Sequence, residues 1–364
     1  MIGKGNKMKI GILTFHSAYN FGAVLQCFAL FSTIKDMGYS VEVIDYRPDY
    51  LATKKETFHW YTFINRTPWR FYERVKAVIN AKKFYHKFEV FNKRNLKLSD
   101  RCVSQKDLHN VCRRYDCVII GSDQVWCNKF NGNDTSWFGF CSTTPIRWVG
   151  YAVSAGNTIY SEMQLCDLTR HFSAIGVRES ELYQSMQGCY KGNLAHVLDP
   201  TLLAPTTLWE QWKNPIIDTP YILTYQARES DDVFRIARSL AQQLGVKLIV
   251  PIDFYPNVKS NGYNTKVCAP NEFVSLVKNA RCVVTTSFHG TAFSVITGTP
   301  FYTLRLNDGA DSRAESLLEN LGLADRMVDA SCDVIFRSYD TVKVHNLLNK
   351  LKYQSLGFLI SSLQ

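Results

Sequence analysis

The sequence predicts an α/β protein of two Rossmann-like, doubly wound domains facing a cleft, with a helical, basic insertion in the first. Three observations carry this. Short apolar strand-like runs alternate with helix-length amphipathic runs, as parallel sheets require. Polar or glycine-rich loops follow nearly every strand run, as at a ligand-binding sheet edge. A stretch from Asp199 through Pro205, Pro215 and Pro220 reads as a linker that divides the alternation into two series. At 364 residues, 46% apolar and 20% charged, the chain can core two domains and is not disordered.

The first series opens with a strand over Met8–Phe15, a helix over Gly22–Met37 stopped by Gly38, and a strand over Val41–Tyr46. Further strands are predicted at Cys117–Ile120, Trp148–Val153, Ala174–Val177 and His196–Leu198. The second series gives a strand at Tyr221–Tyr225, a helix capped by Ser230 with Val233, Ile236, Leu240 and Leu244 on its apolar face, and a strand at Lys247–Pro251. A helix at Asn271–Asn279, a strand at Cys282–Thr286, a helix from about Gly290, a strand at Phe301–Leu304 and a helix capped by Ser312 complete it. The tail from Val342 to Leu359 reads as a helix returning to the first domain. The expected division is 1–205, 206–340 and 341–364, with the insertion at about 53–114.

Charge is not spread evenly. Residues 53–114 hold 16 of the 42 Lys+Arg and 5 of the 32 Asp+Glu, which leaves 26 basic against 27 acidic residues elsewhere. The insertion is also aromatic, with Phe84, Phe88 and Phe91 at helical spacing, and reads as two or three amphipathic helices. Two uses compete: core aromatics beneath a solvated lysine face, or a surface for anionic lipid. Nucleic-acid binding is the weaker expectation, because the rest of the chain is near neutral. The 11 cysteines include no Cys-x-x-Cys, and no histidine spacing suits zinc, so neither a metal site nor a disulfide scaffold is expected. No secretory leader is read at Ile10–Phe15, and the charge-free run Cys282–Leu304 is too rich in Thr and Ser to span a bilayer.

The loops at predicted strand ends supply the candidate site. Asn20 is placed to cap a helix and Gly22 to let backbone approach a ligand. Gly121-Ser122-Asp123-Gln124 is a polar run that is costly to bury unless it is used. Ser154 ends another strand. Arg178 can hold a carboxylate or phosphate as a planar fork, and Arg313, beside the Ser312 cap, is a second anion ligand. Ser287-Phe288-His289-Gly290-Thr291 is the sharpest signal, an imidazole at a helix start within an apolar run. Gly-x-Gly-x-x-Gly and Gly-x-Ser-x-Gly are both absent, which excludes a dinucleotide fingerprint and a nucleophile elbow.

In Gly11–His16, Asn20–Gln26, Val43–Tyr46, Gly121–Trp126, Val177-Arg178-Glu179, Val197–Thr201 and Thr286–Thr291, the sequence resembles the polysaccharide pyruvyl transferase family. The resemblance implies a GT-B-like fold and transfer of the enolpyruvyl-derived unit of phosphoenolpyruvate to a sugar of a cell-surface polysaccharide or its polyprenyl-diphosphate-linked precursor. The product is a pyruvate ketal. No cofactor is implied beyond phosphoenolpyruvate as donor. The family histidine matches His289, the candidate general acid, with Asp123 as the candidate base. Ser122, Gln124, Ser154, Ser287, Gly290 and Thr291 join the substrate-binding set. Many members carry arginine where this chain has Ser287, so Arg178 and Arg313 are expected to supply that charge. The implied location is cytoplasmic, at the inner face of the membrane. A nucleotide-sugar-dependent GT-B glycosyltransferase is the alternative.

Overall fold

The computed structural model describes residues 8–51, 68–139, 146–253 and 266–364. The first lobe is a six-stranded parallel sheet of β1 (Lys9–Leu13), β2 (Ser40–Val43), β3 (Cys117–Ile120), β4 (Arg147–Val153), β5 (Phe172–Val177) and β6 (Asn193–His196), in spatial order β2-β1-β3-β4-β5-β6. The second is a five-stranded parallel sheet of β7 (Tyr221–Gln226), β8 (Leu248–Asp253), β9 (Cys282–Thr285), β10 (Phe301–Arg305) and β11 (Met327–Asp329), in order β11-β10-β9-β7-β8. Both follow one rule. The chain moves outward from its first strand, then crosses back to add the third on the other side. Each sheet therefore has a topological switch point, between β1 and β3 and between β7 and β9, where ligands bind beyond the carboxyl ends.

The central strands, such as β3, β7 and β9, are buried along their whole length because helices cover both faces, while the edge strands β2 and β6 are partly exposed. Their limits differ by a few residues from expectation. Asn193–His196, not His196–Leu198, forms the edge strand, and the three-residue β11 carries too little periodicity to be read from sequence. Asp311, not Ser312, occupies the N-cap position of the helix Ser312–Asn320. Asp199-Pro200 begins no free linker: Asp199 caps a short buried helix, Pro200–Leu203, with proline at its first position.

The lobes meet on aromatic rings. Asn20 caps the helix Phe21–Asp36 by accepting from the Gly22 and Ala23 amides at 2.8 and 3.3 Å. That cap sets Phe21 at the lobe boundary, stacked on Phe273 at 4.8 Å and edge-on to Tyr225 at 5.8 Å. Burying Phe21 contributes about 1.5–3 kcal/mol, and its stack on Phe273 about 0.5–1.5 more. Phe21→Ala would break the joint from both sides.

The insertion is described from Pro68 onward. There it forms one long helix, Pro68–Asn95, and a short one, Gln105–Cys112, so two helices stand in the described part of the insertion. Phe84, Phe88 and Phe91 are buried against Phe21 and Phe28, so this stripe is core and faces no membrane. Lys87 reaches across to Glu272 of the second lobe at 2.7 Å. The expectation for residues 53–67 lies outside the described residues. Among the described residues, no helix is long and apolar enough to cross a membrane.

The last helix, Thr341–Leu363, is capped by Asp340 and runs across both lobes. His345 Nε2 meets the Val295 carbonyl of the second lobe at 3.2 Å, while Ser355 Oγ accepts from the Leu198 amide of the first at 2.9 Å. Phe358 lies under β4 and β5 against Tyr151 and Gly176.

Candidate active site

The switch-point loops converge on one carboxylate, Asp199. Its Oδ1 accepts from the Thr201 amide at 2.9 Å and the Thr201 hydroxyl at 2.7 Å. Its Oδ2 accepts from Arg178 Nη1 at 2.7 Å and Ser122 Oγ at 3.3 Å, and lies 3.6 Å from His289 Nε2. Burial alone would raise this carboxyl, but His289, Arg178 and Thr201 outweigh it and hold it well below the usual range. Asp199 is thus a fixed anion joining the first lobe to the imidazole of the second.

His289 sits in the first turn of the helix Phe288–Thr297. Ser287 is the N-cap and its hydroxyl accepts from the Gly290 amide at 3.5 Å. The imidazole lies against Gly22: a Cβ there would come 2.0 Å from Nδ1. Gly22 therefore makes room for the histidine ring, where a ligand was expected. Gly290 plays a similar part within its lobe, since a Cβ there would come 2.3 Å from Thr285 Oγ1. His289 Nε2 is buried and no acceptor or donor is in hydrogen-bond reach among the described residues.

Arg178 closes β5 and is buried. Besides Asp199 it has Asp123 Oδ1 at 3.6 Å from Nη2, yet its Nε and Nη2 make no hydrogen bond among the described residues. Its guanidinium lies 5.0 Å from the centre of the Phe288 ring, and that of Arg313 lies 5.9 Å from the same ring. One aromatic side chain thus gathers a cation from each lobe. Burial, then the nearby Arg178, push the Arg313 pKa down to about 10, so it stays charged at neutral pH.

Glu179 follows Arg178 and is buried as well. It accepts from Ser154 Oγ on one oxygen, and the other has no partner among the described residues. Burial raises its pKa against the opposing pull of Arg178, Arg313 and Ser154. Ser154 also accepts from the Gly156 amide at 3.2 Å. Gln124 lies over Gly156, where a Cβ would come 2.4 Å from Nε2. Asp123 holds φ at +76°, a left-handed conformation that costs an aspartate about 1–3 kcal/mol and is kept by the surrounding loops.

Of the residues singled out from sequence, His289, Arg178, Arg313, Asp123 and Ser122 gather around Asp199 and Phe288, with Ser154 on Glu179 and Gln124 over Gly156. Three others have polar atoms already engaged inside the protein. Asn20 and Ser287 are spent on helix caps. Thr291 Oγ1 donates to the Ser287 carbonyl at 3.1 Å and meets Thr303 Oγ1 at 2.7 Å. Sequence reasoning missed Asp199 as a site residue, and missed Glu179, Phe288 and Arg228. Asp199-Pro200-Thr201 does hold a readable signal, an acidic cap before a helix-starting proline. Arg228, after β7, bonds the Thr286 carbonyl and pairs with Asp308 and, at 2.7 Å, with Asp311, which fixes the loop leading to Arg313. Among the described residues, no group of three His, Cys, Asp or Glu side chains is arranged to hold a metal ion.

A family model described as polysaccharide pyruvyl transferase matches residues 20–308. No curated protein matches the chain. Among solved structures, UDP-N-acetylglucosamine 2-epimerase from Rickettsia bellii superposes with a TM-score of 0.51 at 11% identity, over 96% of this chain and 88% of that one. UDP-GlcNAc 2-epimerase from Neisseria meningitidis gives 0.47 at 13%, over 96% and 93%. The glycosyltransferase SnogD from Streptomyces nogalater gives 0.42 at 11%, over 96% and 95%. At 11% identity the likeness to the Rickettsia bellii structure is one of fold, a GT-B-like pair of α/β lobes.

Proposed function

The chain belongs to the polysaccharide pyruvyl transferase family, and on that premise we propose that it moves the enolpyruvyl-derived unit of phosphoenolpyruvate onto a sugar of a cell-surface polysaccharide or its polyprenyl-diphosphate-linked precursor, forming a pyruvate ketal. One observation carries the choice of donor. Among the described residues, Arg178 Nε and Nη2 and His289 Nε2 are buried without hydrogen-bond partners, beside the cation of Arg313. Unpaired buried donors cost about 1–3 kcal/mol each. A small ligand with two anionic groups repays that cost, and phosphoenolpyruvate carries a carboxylate and a phosphate.

The chemistry then assigns the side chains. His289, as imidazolium, gives a proton to the methylene carbon, which leaves the central carbon electrophilic. A sugar hydroxyl adds to that carbon and yields its proton to Asp123. A second hydroxyl of the same sugar displaces phosphate, and its proton leaves with the phosphate. Asp123 then releases its proton to solvent and His289 takes one up, so protons and charge balance over the cycle and both side chains return to their starting states. Asp199 holds the imidazole by charge, and Arg178 and Arg313 stabilise the anions of the donor. Ser122, Gln124 and Ser154 are the polar groups for donor or acceptor hydroxyls. The reaction belongs on the cytoplasmic side, where phosphoenolpyruvate is made.

The test is incubation with phosphoenolpyruvate and a panel of lipid-linked sugar acceptors. Release of phosphate with a pyruvate-sized mass gain on one acceptor is the expected result. Turnover that depends on a sugar nucleotide and ignores phosphoenolpyruvate would overturn it in favour of a glycosyltransferase.

A further inference from the structure

The helix Pro68–Asn95 has two unlike faces. Phe84, Phe88, Phe91 and Asn92 point inward and are buried. At 100° per residue, Lys76, Lys82, Lys83, His86, Lys93 and Arg94 fall within one arc on the opposite side, and all are exposed. Among the described residues, none of these five Lys and Arg joins an ion pair, whereas Lys87, at the edge of the arc, is paired with Glu272. No acidic side chain interrupts the arc over the described positions. Glu89, the nearest, is turned to Arg47 and Tyr19, both at 3.0 Å. Ile79 is the one large apolar side chain clearly exposed on that arc, at 46%.

We propose that this face docks the protein on an anionic lipid surface by charge alone, without insertion. A helix face of one sign over residues 76–94 meets a flat negative sheet along that length. It cannot enclose a flexible soluble polyanion in the same way. Phe84, Phe88 and Phe91 are committed to the core, so among the described side chains of the helix little but Ile79 is left to enter the acyl chains. The association is therefore weakened by salt and reversible. The inward face of this helix touches Phe21, next to Gly22 at the crevice wall. Docking thus holds the crevice close to the bilayer, the place of a lipid-linked acceptor. The docking stands on the charge pattern; only that last consequence rests on the proposed reaction.

The experiment is cosedimentation of the full chain with phosphatidylcholine vesicles, with and without phosphatidylserine, at low and high salt. Three forms are compared: wild type; K82E/K83E/K93E; and K191E/K343E/K350E, which reverses as many exposed charges on other elements. Each basic residue near such a surface strengthens binding about fivefold. The helix variant is expected to lose about 100-fold or more of its affinity for phosphatidylserine vesicles. The control variant should bind within a few-fold of wild type, and raised salt should release the wild type. Phosphate release on a water-soluble acceptor should be unchanged in the helix variant. Equal binding of wild type and helix variant would overturn the proposal. So would equal binding to neutral and anionic vesicles, or binding to an acidic polysaccharide or single-stranded DNA under conditions where anionic vesicles are ignored.

Discussion

Gly22 and His289 touch across the lobe boundary with no space for a methyl group: a Cβ on Gly22 would come 2.0 Å from Nδ1 and 2.4 Å from Cε1 of the imidazole. The backbone of one lobe is thereby the wall that sets the imidazole of the other. Gly22→Ala should push the ring off its line, and a displacement of about 1 Å can cost about 100-fold. Phosphate release should fall by that order while far-UV circular dichroism is unchanged. Normal turnover in this variant would mean that the ring is not fixed there.

His289→Asn removes the proton and keeps a small polar side chain. General acid catalysis is worth about 10²–10⁴-fold, so kcat should drop in that range, with a smaller loss of phosphoenolpyruvate binding by calorimetry because Arg178 and Arg313 remain. A kcat within threefold of wild type would take the imidazole out of the reaction.

Arg178 and Asp199 form a buried pair, and losing one partner strands the other. Asp199→Asn and Arg178→Met should each destabilise by about 3–5 kcal/mol. The double variant should be more stable than the sum of the singles predicts, because no charge is left alone. Strict additivity in urea titrations would show that the two do not share one interaction.

Acid should unfold the protein through its depressed carboxyls. Burial would raise the Asp45 carboxyl, but His16 and Arg47 bring it down to about 2, and Asp199 is held lower than the usual range by His289, Arg178 and Thr201. A folded-state pKa below the unfolded value gives stability that is whole above about pH 4 and is lost as pH falls toward the folded value. The wild-type melting temperature should fall between about pH 4 and 2. Asp45→Asn should melt lower at neutral pH and respond less to acid over that window. A steeper acid response in the variant would contradict the assignment.

The sheets were legible because their central strands are buried on both faces and written as apolar runs, and because Gly38 marks the end of the first helix. The polar clusters at strand ends were legible for a related reason: Ser122, Asp123 and Arg178 are too costly to bury idle. Asp199 was harder. Proline at 200 signals a helix start and a linker alike, and only the fold brings Arg178, from 21 residues upstream, onto that carboxylate. Gly22 was recognised as a close approach, but a sequence cannot say which body approaches. The aromatic stripe of the insertion had two readings of equal periodicity. The one realised depended on Phe21 and Phe28 presenting an apolar wall to it.

The helix Thr341–Leu363 gives the chain a second crossing between its halves, in addition to the passage near Asp199. A body joined at one point can swivel freely; joined at two, it can only turn about the line through them. With Phe21 on Phe273 and Lys87 on Glu272 as further ties between the halves, the His289 ring is held in its place against Gly22.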